Sequence, residues 1–132
     1  MISTKGRYAL RVMIDIAENG GVSVPLKDVA ERQQISKKYL EIIVKDLVHG
    51  GLIAGCSGKG GGYTLCRPPE QYTVYEILKL TESSLTTVAC LADDVECPRA
   101  AHCQTLPMWA EFDRMVCDYF SSKKLTDLMR KA

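Results

Sequence analysis

No apolar run in this 132-residue chain approaches the roughly 18 residues that mark a membrane span, so a helical membrane protein is excluded. The opening MISTKGRYAL has a basic start but neither an uninterrupted apolar stretch nor a small-residue cleavage site, and does not read as a signal peptide. The expectation is a cytoplasmic protein, in a compartment where thiols stay reduced. The chain also lacks a G-x-G-x-x-G fingerprint and a C-x-x-C pair, which argues against a nucleotide-dependent or dithiol enzyme. No internal repeat or low-complexity tract is present. The expectation is therefore a protein that is not an enzyme.

A strong net charge is missing too, but the total of +1 conceals an asymmetry. Residues 1–67 carry ten Lys/Arg against six Asp/Glu, and residues 68–132 carry seven against ten. A basic half joined to an acidic half suits a polyanion partner for the first half. An ordinary solvated surface is the other reading of the same numbers.

What is present is helical periodicity. Ala9, Val12, Met13, Ile16 and Ala17 form one apolar stripe, ended by Asn19-Gly20-Gly21. A short extended VSVP leads to a second helix in which Leu26, Val29 and Ala30 repeat the spacing. Ser36 is a natural N-cap for a third helix, with Leu40, Ile43, Val44, Leu47 and Val48 inward and Lys38, Ile42, Lys45 and His49 outward. LIAGCS and YTLCR then read as two short strands around the tip GKGGG. Pro68-Pro69 marks a boundary, and TVYEILKLTES is a short amphipathic helix capped by Thr73. A long helix begins around Thr105-Leu106-Pro107, with Trp109, Phe112, Val116 and Tyr119 as a heptad-like seam. LTDLMRK adds a last turn.

Two short helices, a tight turn, a third helix with a basic outer face and a hairpin describe a winged helix-turn-helix. The alternative is a small helical core with an incidental hairpin. In the motif, Ser36, Lys37, Lys38 and Tyr39 occupy the turn of the recognition helix that faces base edges. A lysine can reach guanine, and Ile42 can meet a thymine methyl. Tyr39 could instead brace the helix against the core. Lys45 on the outer face, Lys5 and Arg7 at the start of the first helix, and Lys59 at the wing tip are the further candidates for DNA contact.

STKGRYALRVMIDIA, ISKKYLEIIVKDLVHGGLI and GKGGGYTL together resemble the Rrf2 family of bacterial winged-helix transcription regulators, across nearly the whole chain. The resemblance implies homodimers that cross through the long C-terminal helix and bind pseudo-palindromic promoter DNA. The implied fold class is mainly α with a small β-hairpin wing: a winged helix-turn-helix plus a C-terminal dimerisation helix. Residues 1–67 would be the DNA-binding domain, 68–89 a connecting helix, 90–103 a cysteine-rich sensor loop, and 104–132 the dimerisation helix and C-terminal turn. No membrane partner is implied.

CLADDVECPRAAHC places Cys90, Cys97 and Cys103 in one acidic, irregular stretch. Many members of the family ligate an iron–sulfur cluster through three cysteines at this position. The family's cluster-assembly regulators place a histidine three residues after the third cysteine, where this chain has Leu106. Its nitric-oxide sensors use an acid in the first helix, where KGRYAL offers none. The fourth ligand is therefore open among His102, Asp93, Asp94, Glu96, Cys117 or a small molecule. A cluster of the 2Fe–2S or 4Fe–4S type normally takes four ligands. Zinc fits poorly without a tight cysteine pair, whereas a thiol-disulfide switch without a cluster is a competing reading, as is simple packing. In another functional class, the same thiols could serve a small iron–sulfur or thiol electron-transfer protein. Cys56 and Cys66 flank the wing and could sit across from each other in the hairpin; burial at its base is the expectation, with Cys117 packing on the dimer helix.

Overall fold

A computed structural model describes residues 2–58, 60–82, 85–86 and 98–130. Helix α1 spans Thr4–Ala17 and begins at Ser3, whose hydroxyl accepts the Gly6 N–H at 3.1 Å. Its five-residue stripe is at most 6 % exposed, as the spacing requires. Helix α2, Leu26–Gln33, stops where Gln34 turns left-handed at φ 57. Ile35 drops into the core, and Ser36 caps α3, Lys37–His49, by accepting the Tyr39 N–H at 3.2 Å. The three residues between α2 and α3 are the tight turn of a helix-turn-helix.

Leu40, Ile43, Val44 and Leu47 face inward, but Val48 does not; it is 41 % exposed. At about 100° per residue, position 48 lies some 80° round from Leu40, on the edge shared with Glu41 and Lys45. The wing is an antiparallel pair, β1 Ile53–Cys56 and β2 Gly62–Leu65, in the register Ile53↔Leu65 to Cys56↔Gly62. Val24 joins the other side of β2 through two 2.9 Å bonds with Tyr63. A Cβ on Gly62 would collide with the backbone of Val24 and Pro25, so only glycine permits this approach.

That register corrects the expectation for the wing thiols. Cys56 stands opposite Gly62, and the Cys66 N–H reaches Leu52 carbonyl at 3.3 Å, so the two cysteines lie at opposite ends of the hairpin. Both are free and exposed rather than buried.

Tyr72 ties the wing to the C-terminal half of the chain. It is fully buried, its hydroxyl donates to the Leu52 carbonyl at 2.6 Å and accepts the N–H groups of Cys66 and Arg67 at 3.0 and 3.1 Å. Arg67 lies over its ring at 4.3 Å and pairs with Glu76 at 2.6 Å. After a 3-10 turn at Pro69–Gln71, helix α4 runs Val74–Thr81, capped by Thr73, which accepts the Glu76 N–H at 3.1 Å. A second 3-10 turn, Ala100–His102, precedes helix α5, Leu106–Ser122.

The chain then returns. Thr73 pairs with Lys124 as an isolated bridge, Val74 N–H donates to Lys123 carbonyl and Leu125 N–H to Tyr72 carbonyl. Leu125 opens helix α6, Leu125–Leu128, and is fully buried in the same core as Ala9, Leu40 and Ile77. Burying one such leucine contributes roughly 1.5–3 kcal/mol. A second cluster joins Val74, Leu78 and Leu85 to Ile2, Leu10, Tyr75 and Phe120, where α1, α4 and α5 meet.

Helix α5 has no fully buried residue. The expected seam divides on the structure: Phe112 and Tyr119 are 41 % and 59 % exposed, and Trp109 and Val116 are half-buried. The exposed apolar stripe is Met108, Phe112, Met115 and Tyr119, spaced four, three and four residues apart. It lies roughly 100° round the helix from the Trp109, Val116 and Phe120 side that meets the rest of the chain. Cys117 is half-buried on α5.

Candidate nucleic-acid interface and cysteine segment

The outer side of α3 is built by its cap and its inward leucines, which together fix the helix's rotation. Ser36, Lys37, Lys38, Ile42 and Lys45 are all exposed there, Ile42 at 51 %. Tyr39 is half-buried, edge-on to Tyr8 at 5.8 Å and packed on the core; it braces α3 against α1. Tyr8 in turn carries Arg11 at 5.0 Å from its ring centre.

Of the two cations at the start of α1, Arg7 is exposed and donates to Thr4 Oγ1 at 3.1 Å. Lys5 forms an ion pair with Asp46 of α3. Its charge is therefore partly neutralised, and it joins the two helices. Lys59 lies outside the described residues.

Between α3 and the wing runs an open groove of about 480 Å³ lined by Glu41, Val44, Lys45, Val48, His49, Gly55 and Tyr63. Glu41, Val48 and Tyr63 were not among the sequence candidates. Glu41 sits beside Lys45 in an otherwise cation-bearing face, and a carboxylate there repels phosphate but can accept from cytosine N4. Its position four residues before Lys45 was the available signal.

A polar network absent from the sequence reading holds the helix-turn-helix together. Asp15 is 4 % exposed and receives Arg32 Nε and Nη2 at 3.1 and 2.7 Å, and Gln33 Nε2 at 2.9 Å. Arg11 reaches Gln33 from the other side, at its Oε1 (3.2 Å) and its carbonyl. The bidentate pair fixes the end of α2 on α1. The hydrogen bond to Asp15 also raises the Arg32 pKa against its desolvation.

Of the three expected sensor cysteines, Cys90 and Cys97 lie outside the described residues. Cys103 is half-exposed, with its sulfur 3.5 Å from Thr105 Oγ1. Thr105 is the N-cap position of α5 yet makes no side-chain cap bond; its hydroxyl is aligned with the thiol. That hydroxyl, followed by the backbone N–H groups of Thr105 and Leu106 and the charge of Arg99, lowers the Cys103 pKa. Each of these favours the thiolate, which is the form that ligates iron–sulfur cores. His102 is exposed in the turn just before it. Among the described residues, no three His, Cys, Asp or Glu side chains converge on one point, and no helix is long and apolar enough to cross a membrane.

Comparison with known proteins agrees over almost the full length. A family model described as "Rrf2: Iron-dependent Transcriptional regulator" matches residues 2–131. The protein rrf2 of Nitratidesulfovibrio vulgaris is 36 % identical over 132 residues, covering 99 % of this chain and 88 % of that one. The structure of CymR, the global cysteine regulator of B. subtilis, superposes with a TM-score of 0.79 at 33 % identity, over 97 % of this chain and 95 % of its own. That of IscR from T. potens superposes with a TM-score of 0.78 at 31 % identity, over 97 % and 85 % respectively.

Proposed function

Because the chain belongs to the Rrf2 family of transcriptional regulators, we propose that it binds pseudo-palindromic promoter DNA as a homodimer and senses iron–sulfur, iron or redox status through Cys90, Cys97 and Cys103. Regulation of transcription through DNA follows from the family itself, as does the absence of an enzymatic role. The electron-transfer reading of the thiols has no place in it. The finer points are our own reading. Ser36, Lys37, Lys38, Ile42 and Lys45 would meet the major groove, with Arg7 and Lys59 on phosphates. Tyr39 and Lys5 would act by holding α3 in place.

The observation that carries the sensor is Cys103, a half-exposed thiol biased toward thiolate at the first turn of α5. It fits an iron–sulfur core as a donor, and Cys90 and Cys97 would complete three of its ligands. When bound, such a core supplies an oxidisable, removable crosslink between segments of chain. Its effect would pass into α5, whose displacement alters the separation of two recognition helices that must span about 34 Å or a multiple. The same thiolate also supports a second reading, a reversible disulfide without a cluster, and the similarity to CymR of Staphylococcus aureus, whose structure is known in an oxidized form, favours keeping it.

Anaerobic purification with absorption spectroscopy and iron and sulfide analysis separates the two. The cluster reading expects a coloured protein with iron and sulfide in matched amounts. A colourless, iron-free protein with a reversible disulfide would establish the switch instead. Equal operator affinity of both states at fixed salt would sink sensing by either chemistry.

A further inference from the structure

Glu82 follows the last turn of α4 and stands at the root of the chain that leads through Leu85 to the cysteine segment. Its carboxylate does not face solvent alone. Glu82 Oε1 accepts the Ser3 backbone N–H at 2.9 Å and the Ser3 hydroxyl at 2.9 Å, 79 positions away in sequence. Ser3 is itself the N-cap of α1, and its hydroxyl oxygen accepts the Gly6 N–H. Gly6 is buried under this contact: a Cβ there would fall on the Glu82 carboxylate and lie 3.2 Å from Leu78 Cδ2. The absence of a side chain at position 6 is what lets α4 and its carboxylate close over the first turn of α1.

Two residues along that turn, Lys5 forms the ion pair with Asp46 on α3. The start of α1 is thus held on one side by the root of the cysteine segment and on the other by the recognition helix. Beneath these polar links, Ile2, Leu10, Leu78 and Leu85 pack in one cluster, so the contact has an apolar floor. Side chains and helix ends that touch in series can carry a shift from one site to another when they have two arrangements.

We propose that Glu82 is a positioning residue that couples the cysteine segment to the recognition helix within one protomer, through Ser3, the first turn of α1 and the Lys5–Asp46 pair. This rests on the reading of the cysteine segment as a sensor, and it adds a route that does not pass through α5. Movement of the segment's root withdraws the carboxylate from Ser3, frees the first turn of α1 and, through Lys5, releases α3 from its fixed position on the DNA.

The full chain in a C56S/C66S background keeps the wing thiols out of the measurement. DNA duplexes enriched from a random pool by this chain serve as the probe. Affinity is compared at fixed salt between the reduced protein and protein alkylated with iodoacetamide. Allosteric couplings run from roughly 5- to 150-fold; we expect about tenfold between the two states in the parent. E82A should bring the ratio below about twofold, the lower edge of that range being fivefold, while E82Q, which retains an acceptor for Ser3, should preserve it. G6A, which pushes the carboxylate aside without removing it, should behave as E82A. An undiminished ratio in E82A and G6A overturns the proposal. If the parent shows no ratio at all, the sensing reading fails and the coupling with it, and amide hydrogen exchange without DNA then tests only the link from Glu82 to α3. Faster exchange over residues 37–49 in E82A, with the wing unchanged, sustains it, and unchanged exchange there overturns it.

Discussion

Helices α1 and α5 are of similar character in sequence, each an amphipathic run with apolar residues at helical spacing, yet they end in opposite circumstances. Every residue of the α1 stripe is buried within the chain, whereas α5 buries none completely and exposes Met108, Phe112, Met115 and Tyr119. Their starts differ as well. Ser3 caps α1 with its hydroxyl, as Ser36 and Thr73 cap α3 and α4, while Thr105 turns its hydroxyl toward the sulfur of Cys103. One helix is completed by its own chain. The other leaves an apolar side and a polar end exposed, as the proposed pairing with a second copy and reading of a signal would require.

The sharpest break of this comparison is in the core. Leu47→Ala should cost about 2–5 kcal/mol of unfolding free energy in urea titrations, whereas Met115→Ala should change it by less than about 0.5 kcal/mol under conditions where the chain is monomeric. Placing charge on the α5 stripe, as F112E with M115E, should leave secondary structure intact by circular dichroism. It should weaken self-association by roughly 30-fold or more in sedimentation equilibrium, the level expected of central interface residues. A unit mass in the unmodified chain at all concentrations would show the stripe has another purpose.

Within the winged part, Asp15→Asn removes the charge from a bidentate contact whose arginine is 45 % exposed. Water can take over that arginine, so the loss should be about 1–2 kcal/mol, below the 3–5 of a wholly buried pair, read by thermal unfolding. Ser36→Ala should cost about 1 kcal/mol through the lost cap. Thr105→Val should cost less than about 0.5 kcal/mol, because no cap bond is lost there. It should instead change chemistry: the Thr105 hydroxyl is the largest cause of the lowered Cys103 pKa. Its removal favours the thiol over the thiolate, and the pH of half-maximal iodoacetamide reaction at Cys103 should move upward. No movement would detach the threonine from the thiol.

Much of the winged helix-turn-helix was legible because its determinants are local. Helical spacing marked the stripe of α1, Ser36 announced α3, and the glycine-rich tip announced the hairpin. Reading failed where geometry depends on partners distant in sequence. Val48 satisfies the spacing rule loosely and falls just outside the buried arc. Asp15 resembles any exposed helical acid until Arg32 and Gln33 arrive beside it. On α5 the spacing alone does not tell that Phe112 and Tyr119 are exposed while Trp109 and Val116 are half-buried. Cys56 is exposed rather than buried because the wing stands away from the core beyond Ile53, the one buried residue of β1, and Cys66, just past the end of β2, is exposed too. For the cysteine segment, sequence supplied the residue types, and the structure contributes the setting of Cys103 alone; Cys90 and Cys97 lie outside the described residues.

Leu125 gives the winged core a consequence in time. That core contains Leu40, Tyr72 and Ile77, all synthesised early, and is completed by a leucine translated well after them. At about 5–20 residues per second, the stretch from Ile77 to Leu125 takes roughly 2–10 s to make. During that interval α3 lacks the packing that Leu125 adds to its core. Helix α6 thus completes the packing around the recognition helix late in synthesis.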